Sequence, residues 1–132
     1  MSTWTALDDR LFESEGELAP GAPLALVASK CDDCGRYEFP VHDVCPDCHG
    51  TTSPARLSRT GTVGQWTAVN HPVPGGLIEV PYFVVAADFP EGISVLGIVT
   101  KDGHPGEVSI GDQVEVIATQ VGEQIGYGYR VL

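Results

Sequence analysis

From Arg56 to Leu132 the apolar positions fall into short runs separated by turn residues. Gly61-Thr-Val-Gly-Gln-Trp-Thr-Ala-Val69, Tyr82-Phe-Val-Val-Ala-Ala87, Ser94-Val-Leu-Gly-Ile-Val-Thr100, Gln113–Val121 and Tyr127–Leu132 are rich in β-branched and aromatic residues. Gly-, Pro- and Asp-containing stretches stand between them, and short strands at regular spacing argue for a sandwich or a barrel. Five strands in about 75 residues suit a small closed barrel, so a five-stranded oligonucleotide/oligosaccharide-binding (OB) barrel is expected. Gly64 and Gly97 fall inside strands, where a glycine marks a bulge or a tight bend.

Upstream the pattern changes. Leu7, Leu11 and Phe12 stand at i, i+4 and i+5 and predict a short amphipathic helix. Ala19-Pro-Gly-Ala-Pro23 ends it. Leu24–Ser29 reads as a strand, Tyr37-Glu-Phe-Pro-Val41 as an extended segment, and Thr51-Thr-Ser-Pro-Ala55 as a polar hinge. The expected organisation is an N-terminal segment with the helix (1–23), a small module (24–53) and the barrel (54–132). The chain is therefore mostly β.

The small module contains all four cysteines, as Cys31-x-x-Cys34 and Cys45-x-x-Cys48. Each pair is the core of a metal knuckle, and Gly35 and Gly50 near the exits suit the positive φ of such turns. Four thiolates fill a tetrahedral shell and leave no position for water or substrate, so the metal is structural. Strand, knuckle, strand, knuckle is the pattern of a rubredoxin-like zinc ribbon with a four-cysteine site. Zinc is the expected metal. Spacing alone leaves iron in a rubredoxin-like site open, and two disulfides are a third reading. His42 and His49 are read as solvated turn residues, because four thiolates already complete the shell.

Charge then narrows the partners. The chain carries 18 acids against 7 bases, a net charge of −11. Such a surface repels a phosphate backbone, which argues against nucleic acid. Lys30, Arg36, Arg56 and Arg59 bracket the cysteine motif and read either as solvated charges balancing Asp32, Asp33, Glu38, Asp43 and Asp47 or as candidates for a local anion. No run of about 18 apolar residues is present, so no membrane span is expected. The first residues do not read as a secretory signal, and a reducing cytoplasmic setting is expected. No Gly-x-Ser-x-Gly elbow and no phosphate-binding Gly-rich loop is found, and the thiols are consumed by metal, so catalysis is not expected of this chain alone.

The ordered set K-C-D-D-C-G (30–35), F-P (39–40), C-P-D-C-H-G (45–50), G-T-V (61–63), W-T (66–67), P-Y-F-V (81–84) and I-G-D-Q-V-E-V (110–116) resembles one family. It is the zinc-ribbon/OB-fold proteins associated with acyl-CoA enzymes, formerly a domain of unknown function. The resemblance covers residues 24–132, and Trp4 with Leu7, Leu11 and Phe12 stands where the family often has a longer helical lead-in. It implies a non-catalytic accessory subunit that binds and stabilises a thiolase-fold partner. The partner is an acyl-CoA thiolase, a hydroxymethylglutaryl-CoA synthase or a lipid-transfer-protein-like aldolase of steroid side-chain degradation, in a heterotetramer or larger assembly. On this reading Lys30, Arg36, Arg56 and Arg59 are candidate contacts for the phosphates of a CoA thioester. Tyr37, Phe39, Trp66, His71 and Tyr82 are candidates for a surface that meets the partner or a pantetheine chain. A nucleic-acid-binding ribbon/OB module and a rubredoxin-like electron carrier are the alternatives.

Overall fold

The computed structural model of the chain describes residues 5–6, 10–14, 16–71, 76, 80–100 and 108–132. The elements are all strands: β1 (Thr5–Ala6), β2 (Phe12–Ser14), β3 (Leu24–Cys31), β4 (Tyr37–Glu38), β5 (Thr52–Arg56), β6 (Thr60–Val69), β7 (Tyr82–Asp88), β8 (Ser94–Val99), β9 (Gln113–Val121) and β10 (Gln124–Val131).

The last five strands make the barrel. They are hydrogen-bonded in the order β10-β9-β6-β7-β8, each pair antiparallel. The two outer strands of this order come together: the Tyr127 and Tyr129 hydroxyls on β10 donate to the carbonyls of Leu96 and Val95 on β8 at 2.6 and 2.9 Å. This closure is what five short strands in so short a stretch predict. Val63, Val85, Val99, Val114, Val116, Ile125 and Tyr129 point inward and are fully buried. Burial of the phenol pushes the Tyr129 pKa far above its usual value, so the hydroxyl stays a donor to Val95.

The two in-strand glycines do different work. At Gly64 the β6–β7 register slips between Val63 and Gln65, the bulge expected there. At Gly97 the β7–β8 ladder runs on without a shift. A Cβ on Gly97 would stand 2.5 Å from Cε2 of Tyr129. Gly97 is thus corrected from a bend to a close-approach position: the buried ring of Tyr129 occupies the space of its missing side chain.

Strand β1 runs parallel to β10 at Gln124–Ile125 and so belongs to the barrel sheet, whereas β2, β4 and β5 build the ribbon on β3. Phe12–Ser14 pair with Leu24–Leu26, Tyr37–Glu38 with Ser29–Lys30, and Thr52–Arg56 with Val27–Cys31. Two sequence expectations are corrected here. In place of a helix through Leu11 and Phe12, Phe12 opens strand β2 and is buried, and the amide of Val27 donates to the carbonyl of Leu11 at 2.9 Å. Three apolar residues give a weak helical signal, and the free edge of β3 supplies hydrogen bonds that a two-turn helix lacks. Trp4 and Leu7 lie outside the described residues. The polar stretch 51–55 is not a hinge but mostly strand β5, which runs across the expected 53/54 boundary. Pro54 is compatible with that strand because β5 lies on the outer edge, where a missing N–H goes unused.

Ribbon and barrel share one core at the base of β3. Leu24, Leu26, Ala28, Phe12 and Leu57 pack in the same buried cluster as the barrel valines. The backbone of Gly21 and Ala22 bonds Ala118 on β9 at 2.8 and 2.7 Å. Farther out, Phe39 of the ribbon meets Tyr127 of the barrel edge to face, with centroids 5.7 Å apart.

Candidate metal centre and docking faces

The two Cys-x-x-Cys turns are built on one plan. In the first, the Cys31 amide donates to the Arg36 carbonyl at 2.9 Å and the Gly35 amide donates to the Cys31 carbonyl at 3.1 Å. In the second, Cys45 N–H meets Gly50 C=O at 3.0 Å and His49 N–H meets Cys45 C=O at 2.9 Å. The left-handed position of the first turn is Gly35, at φ 78°, as expected. The second turn puts His49 there, at φ 61°. Gly50 makes room instead: a Cβ on it would come within 2.4 Å of an oxygen of the exposed Asp33 carboxylate, which would have to swing away, and 3.1 Å from Cys31 Sγ.

These turns bring four sulfurs to one point. Cys31 Sγ lies 3.3 Å from Cys48 Sγ, and Cys34 Sγ 3.7 Å from Cys45 Sγ, so the pairs cross between knuckles. All four lie within 4.8 Å of one another. A tetrahedral zinc–tetrathiolate unit with bonds of about 2.3 Å has S–S edges of about 3.8 Å. The four cysteines are free thiols and fit that shell. Cys31 and Cys45 are buried, whereas Cys34 and Cys48 face solvent.

Backbone amides and crowding set the thiols apart electrostatically. The Cys34 amide, 3.4 Å from Cys31 Sγ, stabilises the thiolate there and lowers its pKa from 9.0 to about 7. At Cys48 the Gly50 amide acts in the same sense, but the neighbouring Cys31 and Cys34 sulfurs outweigh it and push the pKa to about 12. Cys34 is raised too: the Arg36 amide lowers it, and the Cys31 sulfur opposes that pull. Four thiolates this close repel one another unless a cation lies between them. The cluster is therefore a metal-binding site of the zinc-ribbon type, with a closed donor set.

Neither histidine of the motif joins it. His42 is exposed; its ring Nδ1 lies 2.7 Å from the Pro40 carbonyl and its amide donates to Ser29 Oγ at 3.1 Å. His49 is exposed on its turn.

The four basic candidates are not gathered into one patch. Lys30 is exposed, its Nζ 5.5 Å from the centre of the Tyr37 ring. Arg36 is engaged by Glu38 at 2.5 Å and by Asp47, which raises its pKa. Arg56 pairs with Glu13 at 2.5 Å. Arg56 stands opposite Val27 and Lys30 opposite Ser53, so the odd spacing along β3 puts Arg56 and Lys30 on opposite faces. Arg59 is exposed, and its carbonyl accepts from the Val116 amide at 2.9 Å.

The aromatic candidates separate in the same way. Tyr37 and Phe39 are half-buried between ribbon and barrel, and with Arg36, Glu38, Glu91 and Ser94 they line a cleft of about 470 Å³. Trp66 is 44% exposed and stacks edge to face on Phe83 at 5.6 Å. Tyr82 is half-buried at the start of β7, and His71 is exposed just past β6.

One surface was not anticipated from the sequence. Tyr82, Val84 and Ala86 on β7 and Leu96 and Ile98 on β8 alternate with the inward residues and so share the outer face of the barrel. Leu96 is 64% exposed. Leu11, Phe12, Val121 and Tyr127 extend this face into a shallow apolar groove of about 260 Å³. The alternation of inward and outward residues is seen in the burial along 82–88 and 94–99, not in the residue types. It was masked because both strands read as continuous apolar runs, the pattern of strands buried on both faces.

The family models agree with this architecture. "ChsH2, rubredoxin-like zinc ribbon domain" matches residues 19–53, and "ChsH2, C-terminal OB-fold domain" matches residues 55–119. A curated relative from Methanothermobacter thermautotrophicus, a DUF35 domain-containing scaffold protein, is 30% identical over 112 residues, covering 80% of this chain and 84% of the relative. The chain belongs to the DUF35 family. DUF35 scaffold proteins of Methanocaldococcus jannaschii and Pyrococcus furiosus are 30% and 32% identical over 80% of the chain, covering 79% and 80% of their own lengths. Among solved structures, a chain of the Ltp2-ChsH2(DUF35) aldolase superposes with a TM-score of 0.67 at 24% identity, covering 81% of this chain and 84% of that one. A DUF35 protein of unknown function from Sulfolobus solfataricus gives 0.54 at 19% identity, covering 76% and 74%. These likenesses establish the ribbon-plus-OB fold.

Proposed function

We propose that this DUF35 protein is a non-catalytic accessory subunit that docks on and stabilises a thiolase-fold enzyme, an acyl-CoA thiolase or an aldolase of the lipid-transfer-protein-like type. The observation that carries this reading is the outer face of β7 and β8. In OB barrels the face of the second and third strands holds the ligand. Here that face presents Val84, Ala86, Leu96 and Ile98, and neither strand contains a Lys or Arg. A nucleic-acid site needs cations and exposed stacking rings. A face that is apolar over Val84, Ala86, Leu96 and Ile98, with the Asp88 carboxylate at its end as its charge, suits another protein. The scaffold description of the relatives and the aldolase assembly of the structural neighbour support the same choice.

Within this reading the metal is zinc and its role is structural. One zinc per chain in a colourless preparation is expected; a red, iron-containing protein with a reversible one-electron couple would point to electron transfer instead. Lys30, Arg36, Arg56 and Arg59 are assigned to CoA phosphate contacts in the complex. Because Lys30 and Arg56 occupy opposite faces, they act as separate contacts rather than one clamp. Charge reversal at Arg56 and Arg59 is expected to weaken thioester binding by the complex, and unchanged affinity removes the assignment. The reading as a whole is tested by co-expression with a thiolase-fold subunit of the same genome. The two chains are expected to elute together. Separate elution, with the enzyme fully active alone, refutes it.

A further inference from the structure

Strand β6 has an open backbone edge. Thr60–Thr62 pair with β9, and the last bonds on that side are Val63 N–H to the Asp112 carbonyl and Gly111 N–H to the Val63 carbonyl, both 2.9 Å. Beyond the bulge at Gly64, residues Gln65–Val69 continue to pair with β7, and among the described residues nothing pairs with their other side. An open edge is normally protected by Lys, Pro, a bulge or a covering loop. The stretch Gln65-Trp-Thr-Ala-Val69 contains no charge and no proline. Gln65 to Ala68 are all exposed. The turn at which β9 leaves this edge carries Ile110, 71% exposed, so large apolar side chains stand both on the open stretch and at its end.

Charge indicates the kind of occupant. The carboxylate of Asp88 sits over Gly64, where an added Cβ would come within 2.6 Å of its Oδ2. On the adjoining turn the Asp112 carbonyl accepts from the Val63 amide, and its carboxylate accepts from the Ser109 amide at 2.9 Å. Two acids thus mark the barrel end of an uncharged edge, in a chain of net charge −11. A second copy of the chain would bring a second −11 to the contact. A strand with basic residues at one end is the complementary occupant.

We propose that the edge of β6 at Gln65–Val69 accepts an extended strand of the partner enzyme by β-augmentation, in line with β9. The incoming strand carries apolar side chains toward Trp66 and a Lys or Arg at the end that meets Asp88 and Asp112. Main-chain hydrogen bonds give the affinity and the side-chain pockets the register. This inference rests on the accessory-subunit reading and adds the edge of β6, the strand next to β7, to the β7–β8 face that reading uses.

The test is amide hydrogen exchange on the full-length chain alone and in its complex with the co-expressed thiolase-fold subunit. Amides within 65–69 are expected to become protected in the complex. Thr67→Lys, an exposed substitution that places a charge on the edge, is expected to weaken the complex at least about ten-fold with an unchanged melting temperature of the isolated chain. Asp88→Asn is expected to slow association by a few-fold and to reduce its salt dependence. If a complex forms with amides 65–69 unprotected and Thr67→Lys without effect, the edge proposal is overturned while the accessory reading stands. Failure of any complex to form overturns both. Concentration-dependent protection of the chain by itself makes a second copy the occupant and also overturns the proposal.

Discussion

The ribbon tip and the barrel are held together by different means. Between Lys30 and Thr51 the buried residues are Cys31 and Cys45, and Val41 and Val44 are exposed. The tip has no apolar core; four sulfurs stand where one would be. Among the described residues the barrel has seven fully buried large side chains, from Val63 to Tyr129, closed by a hydrogen-bonded seam between β8 and β10. The base of β3 belongs to the barrel side of this division, because Leu24, Leu26 and Ala28 lie in the barrel cluster. A small module can be rigid without a core when a metal supplies the missing free energy, and that free energy is as removable as the metal.

The largest expected effect tests that difference directly. Chelation of the metal, or Cys45→Ser, removes stabilisation of about 10–16 kcal/mol from the tip. Two-dimensional NMR is expected to show residues 31–51 losing dispersion while β6 to β10 keep theirs. Collapse of the whole spectrum would show that the barrel depends on the metal as well. Next comes Ile125→Ala, which opens a cavity in the barrel core. It is expected to cost about 2–5 kcal/mol in denaturant unfolding without changing metal content.

Gly97→Ala is expected to cost about 1–3 kcal/mol, because the Tyr129 ring must yield to the new methyl group. An unchanged midpoint would mean that the ring has room to move. Phe39→Ala removes the edge contact with Tyr127, worth about 0.5–1.5 kcal/mol beyond its buried area. Its effect is expected to be local: faster exchange at the joint, with ribbon and barrel each intact.

Acid is expected to act on the ribbon through its thiols. The lowered thiol of Cys31 contributes above its ordinary value of 9.0, and that contribution is lost as the pH falls through about 7. Cys34 and Cys48 are raised above 9.0 in the folded cluster and return to that ordinary value when the metal-free tip loosens; in either state they are protonated at neutral pH and must each release a proton to bind metal. Apparent metal affinity is therefore expected to fall at least about 100-fold for each pH unit below 8, and more steeply below about 7 where Cys31 also takes a proton. Competition with a chromophoric chelator measures the slope; a flat profile would contradict the thiolate ligand set.

The metal centre was legible in the sequence because Cys-x-x-Cys spacing is itself the geometry: the turn follows from the chain. The barrel strands were legible because short runs of β-branched and aromatic residues recur between Gly-, Pro- and Asp-containing turns. What failed were features decided by tertiary neighbours. Leu11 and Phe12 have helical spacing, yet the edge of β3 draws them into a strand. Thr52–Arg56 has the composition of a linker, yet it completes the other edge of β3. Gly50 and Gly97 were read as backbone-freedom glycines, yet each makes room for another residue, Asp33 and Tyr129. The basic residues around the cysteines cluster in sequence, but β3 puts Lys30 and Arg56 on opposite faces and carboxylates take up Arg36.

The decisive measurement is the turnover and thermal stability of the thiolase-fold partner alone, with this DUF35 chain, and with its Cys34→Ser variant. The account predicts a partner that is unstable or poorly active alone, restored by the wild-type chain, and not restored by a chain whose ribbon tip cannot fold. A partner that is fully active and equally stable without this chain would contradict it.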